Sequence, residues 1–286
     1  MAMARVGAVA VLAVVAWTSP AAAEIESAPV ITDRTRATLV AGEGTLVPGE
    51  DLRIGLRLQL KPGWHTYWRN PGDSGEPAAV TLHVVGSDVK GPDVWPMPER
   101  IDMAGIVSYG FHGDVVLITT VPSSAALTAK PALQIEAEAS WLVCEKVCVP
   151  ETGRFTLSLP AGSTAPPRPT TTLTPLSQVP PVPKAVFART GQGWSLRIRT
   201  SSLDVPDDSV VEAYFFPERG DLIDHSAPQA LRRQGGEIVL DMTPAQVATD
   251  PPSELRGVLS ITGRRQDGKQ ATLRVDLVAQ PASEGR

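Results

Sequence analysis

Apolar and polar residues alternate along most of this chain. In Asp51-Leu52-Arg53-Ile54-Gly55-Leu56-Arg57-Leu58-Gln59-Leu60 the apolar residues fall on every second position, the period of a strand with one buried face and not that of a helix. Leu133-Gln134-Ile135-Glu136-Ala137-Glu138-Ala139 repeats the pattern and runs on to Trp141 and Val143, and Phe155, Leu157 and Leu159 repeat it again. Arg36–Val40, Ala79–Val85 and Val115–Val121 are further strand candidates. Many short strands punctuated by Gly and Pro predict an antiparallel sandwich.

The alternation lapses from Pro160 to Lys184, where eight prolines lie among Thr, Ser and Ala; that composition predicts a Pro-rich linker over residues 161–184. It resumes in Trp194-Ser195-Leu196-Arg197-Ile198-Arg199, and Val211, Ala213 and Phe215 mark one face of another short strand. Gly235-Gly236 separates Ala230–Arg233 from Glu237–Asp241. Asp267-Gly268 separates Leu259–Thr262 from Ala271–Val278 and is a hairpin signal. The expected fold is all-β, with a first sandwich over residues 24–160 and a second over 185–286.

The chain opens differently. Arg5 precedes an apolar run, Val6 to Trp17, and Ala21-Ala22-Ala23 offers a small-residue cleavage site before Glu24, so residues 1–23 read as a signal peptide. The run is too short to span a bilayer and Pro20 closes it. The mature chain is therefore expected to be soluble and exported, most simply into a periplasm. Cleavage leaves about 263 of 286 residues, enough for two domains, and moves the formal charge from -5 to about -6. That acidity, without any Lys/Arg cluster, argues against nucleic acid as a partner.

Cys144 and Cys148 are the only cysteines. An even pair in an exported chain reads as a disulfide, or as a dithiol that cycles with one. Residues four apart on a straight strand are ~13 Å from each other, whereas a disulfide needs Cα atoms ~4.4–6.8 Å apart. The chain must turn between them, and strands on both sides favour a hairpin end near a sandwich rim. As a staple the bond would do little: closing five residues removes about 2 kcal/mol of unfolded-state entropy, against ~4.7 for a hundred-residue loop. A tight turn would also make the bond easier to reduce. Staple and electron relay both remain open on these grounds. A third reading has the two thiolates bind Cu(I) or Zn with some of His65, His83, His112 and His225, but those histidines are scattered in sequence, so neither a metal nor any other cofactor is expected.

The residues around the pair resemble a known family. Trp141-Leu142-Val143-Cys144-Glu145-Lys146-Val147-Cys148-Val149-Pro150-Glu151 is similar to the redox segment of the periplasmic N-terminal region of the thiol:disulfide interchange (DsbD) family, and closer to its copper-tolerance (ScsB) branch. Lys61 to Gly75, Trp95-Pro96-Met97-Pro98-Glu99-Arg100 and Ser108-Tyr109-Gly110-Phe111-His112-Gly113 support the resemblance in the same order. Tyr214-Phe215-Phe216-Pro217-Glu218 extends it loosely into the second half. The resemblance implies immunoglobulin-like sandwiches and a protein-disulfide reductase activity. Electrons would pass from a thioredoxin-fold donor to oxidised periplasmic proteins, with a membrane electron transporter on a separate chain as a further partner. It implies that Cys148 forms the mixed disulfide, that Cys144 resolves it, and that Tyr109, Gly110 and Phe111 form a cap loop over the pair. The competing function is a non-catalytic module that binds copper or a protein and carries a structural disulfide.

Overall fold

The computed structural model describes residues 24–42, 46–129, 131–160, 185–191, 193–203, 210–246, 252–264 and 268–282. The expected signal peptide and Pro-rich linker lie outside them. The first part of the chain forms β1 (Glu24–Glu26), β2 (Val30–Ile31), β3 (Thr35–Gly42), β4 (Leu52–Leu60), β5 (His65–Gly72) and β6 (Ala79–Val84). It continues with β7 (Ser87–Gly91), β8 (Glu99–Met103), β9 (Ile106–His112), β10 (Asp114–Val121), β11 (Ala132–Cys144) and β12 (Cys148–Pro160). The later part of the chain forms β13 (Ala185–Thr190), β14 (Gly193–Arg199), β15 (Val210–Pro217), β16 (Ala230–Gln234), β17 (Glu237–Met242), β18 (Leu255–Arg264) and β19 (Gln270–Pro281). Among the described residues the only helical segment is a 3-10 turn, Thr200–Ser202, and no helix is long and apolar enough to cross a membrane.

The first twelve strands make a sandwich. One sheet runs β1-β3-β4-β10 with β2 beside β3, and the other runs β7-β6-β11-β5-β9-β8 with β12 on the free side of β11. The strands exist because the alternation gives each a face to bury: Leu39, Leu56 and Leu117 from one sheet meet Leu82, Ile135 and Val143 from the other in a single core. β11 and β12 pair over their whole length from Ala132↔Pro160 to Cys144↔Cys148. The other side of β11 pairs first with β6 and, at its last residue, with β5 through Cys144↔His65. The cysteines thus close a hairpin at the sheet's end, as the strands flanking them predict.

The later strands form one seven-stranded sheet, β15-β18-β19-β13-β14-β17-β16, antiparallel except for the parallel pair β13–β19. It bends around its own core, where Phe215 and Leu259 meet Leu196, Ile238 and Leu240. The all-β, immunoglobulin-like expectation holds, with that one parallel pairing as an addition. One local expectation changes. A bulge between Val210 and Glu212 turns Val211 outward and puts Val210 beside Ala213 and Phe215 in the interior, because an extra residue reverses the alternation.

The two units meet along β5 and β15. Tyr214 and Phe216 reach Tyr109, whose hydroxyl lies 2.9 Å from that of Tyr214 and whose ring stands edge-on to Phe216 at 5.0 Å. Trp68 faces Phe216. Arg69 pairs with Glu218 at 2.8 Å, and Asn70 Nδ2 donates to the Pro217 carbonyl at 2.7 Å. Arg274 of β19 donates to the Trp95 carbonyl. Asn70-Pro71-Gly72, which reads as a turn by composition, continues β5 instead; Asn70 Nδ2 donates to Pro217 while its Oδ1 accepts from Gly72 N, and the turn begins at Asp73.

Candidate redox site at the end of the β11–β12 hairpin

Cys144 and Cys148 are disulfide-bonded, with Cα atoms 4.1 Å apart. Directly opposed residues of an antiparallel pair point to the same face, so the hairpin itself presents the two sulfurs to each other. Their surroundings differ. Cys144 is buried, at 1% exposure, whereas Cys148 is exposed. The connecting Glu145, Lys146 and Val147 are exposed too, and Val147 stands 69% open to solvent beside Cys148.

The hydroxyl of Tyr67 donates to Cys144 Sγ at 2.8 Å and lies 3.5 Å from Cys148 Sγ. Burial pushes the Tyr67 phenol above its ordinary pKa, opposed by a hydrogen bond with Ser74, so the oxygen keeps its proton and remains a donor. His65, opposite Cys144 on β5, packs edge-on against Tyr67 at 5.3 Å and beside His112 at 5.6 Å. Burial, then the neighbouring His112, lower the His65 pKa, which keeps its ring neutral at pH 7. Its buried Nε2 has no hydrogen-bond partner.

The expected cap is corrected by strand parity. Cys144 pairs with His65 and His65 with His112, so Cys144, His65, Tyr67, Gly110 and His112 share one face of the sheet. Tyr109 and Phe111 occupy the alternate positions of β9 and turn into the sandwich core. Tyr109 bonds Tyr214 and not the sulfurs, while Gly110 lies opposite Tyr67 as bare backbone. The alternation of Val107, Tyr109 and Phe111 with Ser108, Gly110 and His112 carried this information in the sequence.

Tyr67 is the group that sequence reasoning missed. His65, Thr66, Tyr67 and Trp68 are all buried, so no amphipathic pattern distinguishes the face that meets the sulfurs. Of the other candidate ligands, His83 is exposed and bonded to Asp88, and His225 belongs to the second unit, bonded to Asp73. Among the described residues no group of three or more His, Cys, Asp or Glu is placed to hold a metal ion.

Chemically, this arrangement is an exposed sulfur bonded to a buried one that has a phenol donor against it. Attack at the exposed sulfur would expel the buried one as a thiolate, the charged form that a hydrogen-bond donor stabilises.

Residues 36–160 match the family model described as the N-terminal region of the thiol:disulfide interchange protein DsbD. In fold the chain is similar to the crystal structure of the N-terminal periplasmic domain of ScsB from Proteus mirabilis, with 16% sequence identity and a TM-score of 0.59 over 90% of this chain and 100% of that one. No curated protein matches the sequence.

Proposed function

Because residues 36–160 form a DsbD N-terminal domain, we propose that this chain is an exported thiol:disulfide interchange protein that relays electrons through Cys144 and Cys148. The observation that carries the reading is the asymmetry of the pair, one sulfur open to a partner and the other buried under the Tyr67 hydroxyl.

In the reductive half-cycle a thiolate of a thioredoxin-fold donor attacks Cys148 Sγ. The S–S bond breaks and its electron pair leaves on Cys144, next to the Tyr67 O–H. The donor's second thiolate then attacks the donor sulfur of the mixed disulfide, releasing Cys148 as a thiolate and leaving the donor oxidised. Two electrons have moved, and two protons from solvent complete the dithiol. In the oxidative half-cycle the Cys148 thiolate attacks a disulfide of an oxidised exported protein and displaces one substrate thiolate. Cys144 then attacks Cys148 Sγ, restores the disulfide and frees the second substrate thiol. Every step needs direct sulfur contact, so access governs rate. No cofactor takes part.

The test is to trap the intermediate. A Cys144→Ser variant lacks the resolving thiol, so reacting it with oxidised thioredoxin-fold proteins from the same compartment should accumulate covalent adducts through Cys148, cleared by dithiothreitol. Absence of adducts, with a reduction potential below about -300 mV typical of structural disulfides, would sink the relay and leave the binding module.

The exposed Val147 fits a partner with an apolar rim around its own cysteines. Val147→Glu is expected to raise KM for a reduced thioredoxin-type donor by about tenfold, the order of one lost apolar contact. Reduction by dithiothreitol, which needs no such contact, should stay within twofold. Equal loss with both reductants would show that Val147 acts on the bond and not on docking.

A further inference from the structure

We propose that the second domain sets the reactivity of the Cys144–Cys148 bond by pinning the Gly72–Gly75 loop, and through it the ring of Tyr67; this rests on the exchange reading above. Strand β5 serves two sites at once. Tyr67 faces the disulfide, while the next three residues, Trp68, Arg69 and Asn70, contact Phe216, Glu218 and Pro217 of the second domain.

The loop after β5 continues the connection. Asn70 Nδ2 donates to the Pro217 carbonyl, and its Oδ1 accepts from Gly72 N at 3.0 Å, so one buried amide ties the loop's start to the other domain. Asp73 is gripped from both sides: Oδ1 lies 2.7 Å from His225 Nδ1 of the second domain, and Oδ2 accepts from Val107 N at 2.8 Å. The Ser74 hydroxyl lies 3.2 Å from that of Ser108. At Gly75 the backbone closes onto the tyrosine. A Cβ there would stand 2.2 Å from Tyr67 Cε1, and φ is +105°, so only glycine lets the chain pass this close to the ring.

The loop is therefore held to His225 and Pro217 at one end and bears on the Tyr67 ring at the other. The hydrogen bond at its far end is sensitive to such a support, because donor strength falls steeply with distance and angle. The same route gives a purpose to stretches that the sulfur chemistry leaves unexplained: Trp68 to Gly75 in the first domain and Tyr214 to Glu218 in the second.

The experiment is a double-mutant cycle on the mature full chain, with dithiothreitol as the reductant. Rates of disulfide reduction are measured for wild type, Tyr67→Phe, His225→Phe and the double variant. The pH midpoint of iodoacetamide reaction with the reduced proteins is measured in parallel. His225→Phe keeps a ring against Tyr109 and removes only the bond to Asp73. It is expected to slow reduction at least fivefold and to move the alkylation midpoint alkaline, in the direction of Tyr67→Phe. In the Tyr67→Phe background it should change the rate by less than twofold, since the group it positions is gone. Equal slowing in both backgrounds, or no slowing in wild type, overturns the inference. Asp73→Ala removes the same bond from the first domain, together with the one from Val107 N, and replaces His225→Phe if that variant does not fold. Dithiothreitol needs no protein partner, so coupling seen here with no adducts in the trapping experiment would remove the relay reading alone. Adducts without coupling would remove this inference alone.

Discussion

Tyr67→Phe slows reduction of the Cys144–Cys148 bond by a thioredoxin-type donor by about tenfold or more. Cys144 Sγ accepts a hydrogen bond from the Tyr67 hydroxyl, at 2.8 Å, and Cys144 is the sulfur that leaves when Cys148 is attacked. A hydrogen bond to a charged acceptor is worth about 1.5–3 kcal/mol, and each 1.36 kcal/mol off a barrier is tenfold in rate. The donor persists across the working pH range, because burial holds the phenol above its ordinary pKa. Losing it disfavours thiolate at both sulfurs, since the same hydroxyl lies 3.5 Å from Cys148 Sγ, so the alkylation profile of the reduced protein, read at the exposed Cys148, moves to higher pH. Phenylalanine keeps the ring against Gly75 and His65, so the thermal midpoint should move little. Stopped-flow reduction of the two proteins decides the matter; rates within twofold of each other would remove Tyr67 from the chemistry.

Glu151→Ala destabilises the first domain by about 3 kcal/mol, the lower end of the cost of breaking a buried ion pair. Glu151 sits opposite Trp141 on the β11–β12 hairpin, with its side chain only 3% exposed. Its Oε2 accepts from Trp141 Nε1 at 3.0 Å. Its Oε1 accepts from Thr32 Oγ1 at 2.8 Å and Arg34 Nε at 2.9 Å. Truncation leaves the buried indole N–H and the hydroxyl without that acceptor; the half-buried Arg34 keeps some water, which limits the loss. Glu151→Gln retains an acceptor oxygen and should lose less. Urea unfolding followed by tryptophan fluorescence checks both variants, and a shift under 1 kcal/mol for Glu151→Ala would show that water replaces the carboxylate. Because this network lies on the hairpin that carries the cysteines, the destabilised variant should also open the sulfur pair to small reductants.

Several features are legible in the residues themselves. The period-two runs at Leu52–Leu60 and Leu133–Val143 mark β4 and β11, and Phe155, Leu157 and Leu159 mark β12. The spacing of Cys144 and Cys148 between two such runs forces a turn there. The departures are equally specific. The resemblance implies that Tyr109 and Phe111 cap the pair, yet parity sends them to the other face of the sheet. Simple alternation places Val211 inward, and the bulge beside it reverses that orientation.

The chain's own sequence determined its strands, the hairpin at Cys144–Cys148 and the all-β class, because each follows from periodicity and turning within a dozen neighbouring residues. Tertiary structure alone decided which phenol meets the sulfurs and what holds it there. Tyr67 and Cys144 are 77 positions apart, and His225 is 152 positions from Asp73. The first contact depends on which strands lie side by side and in what register, the second on how two domains dock. Where both faces of a strand are buried, as along β5, alternation no longer says which side chain faces which neighbour.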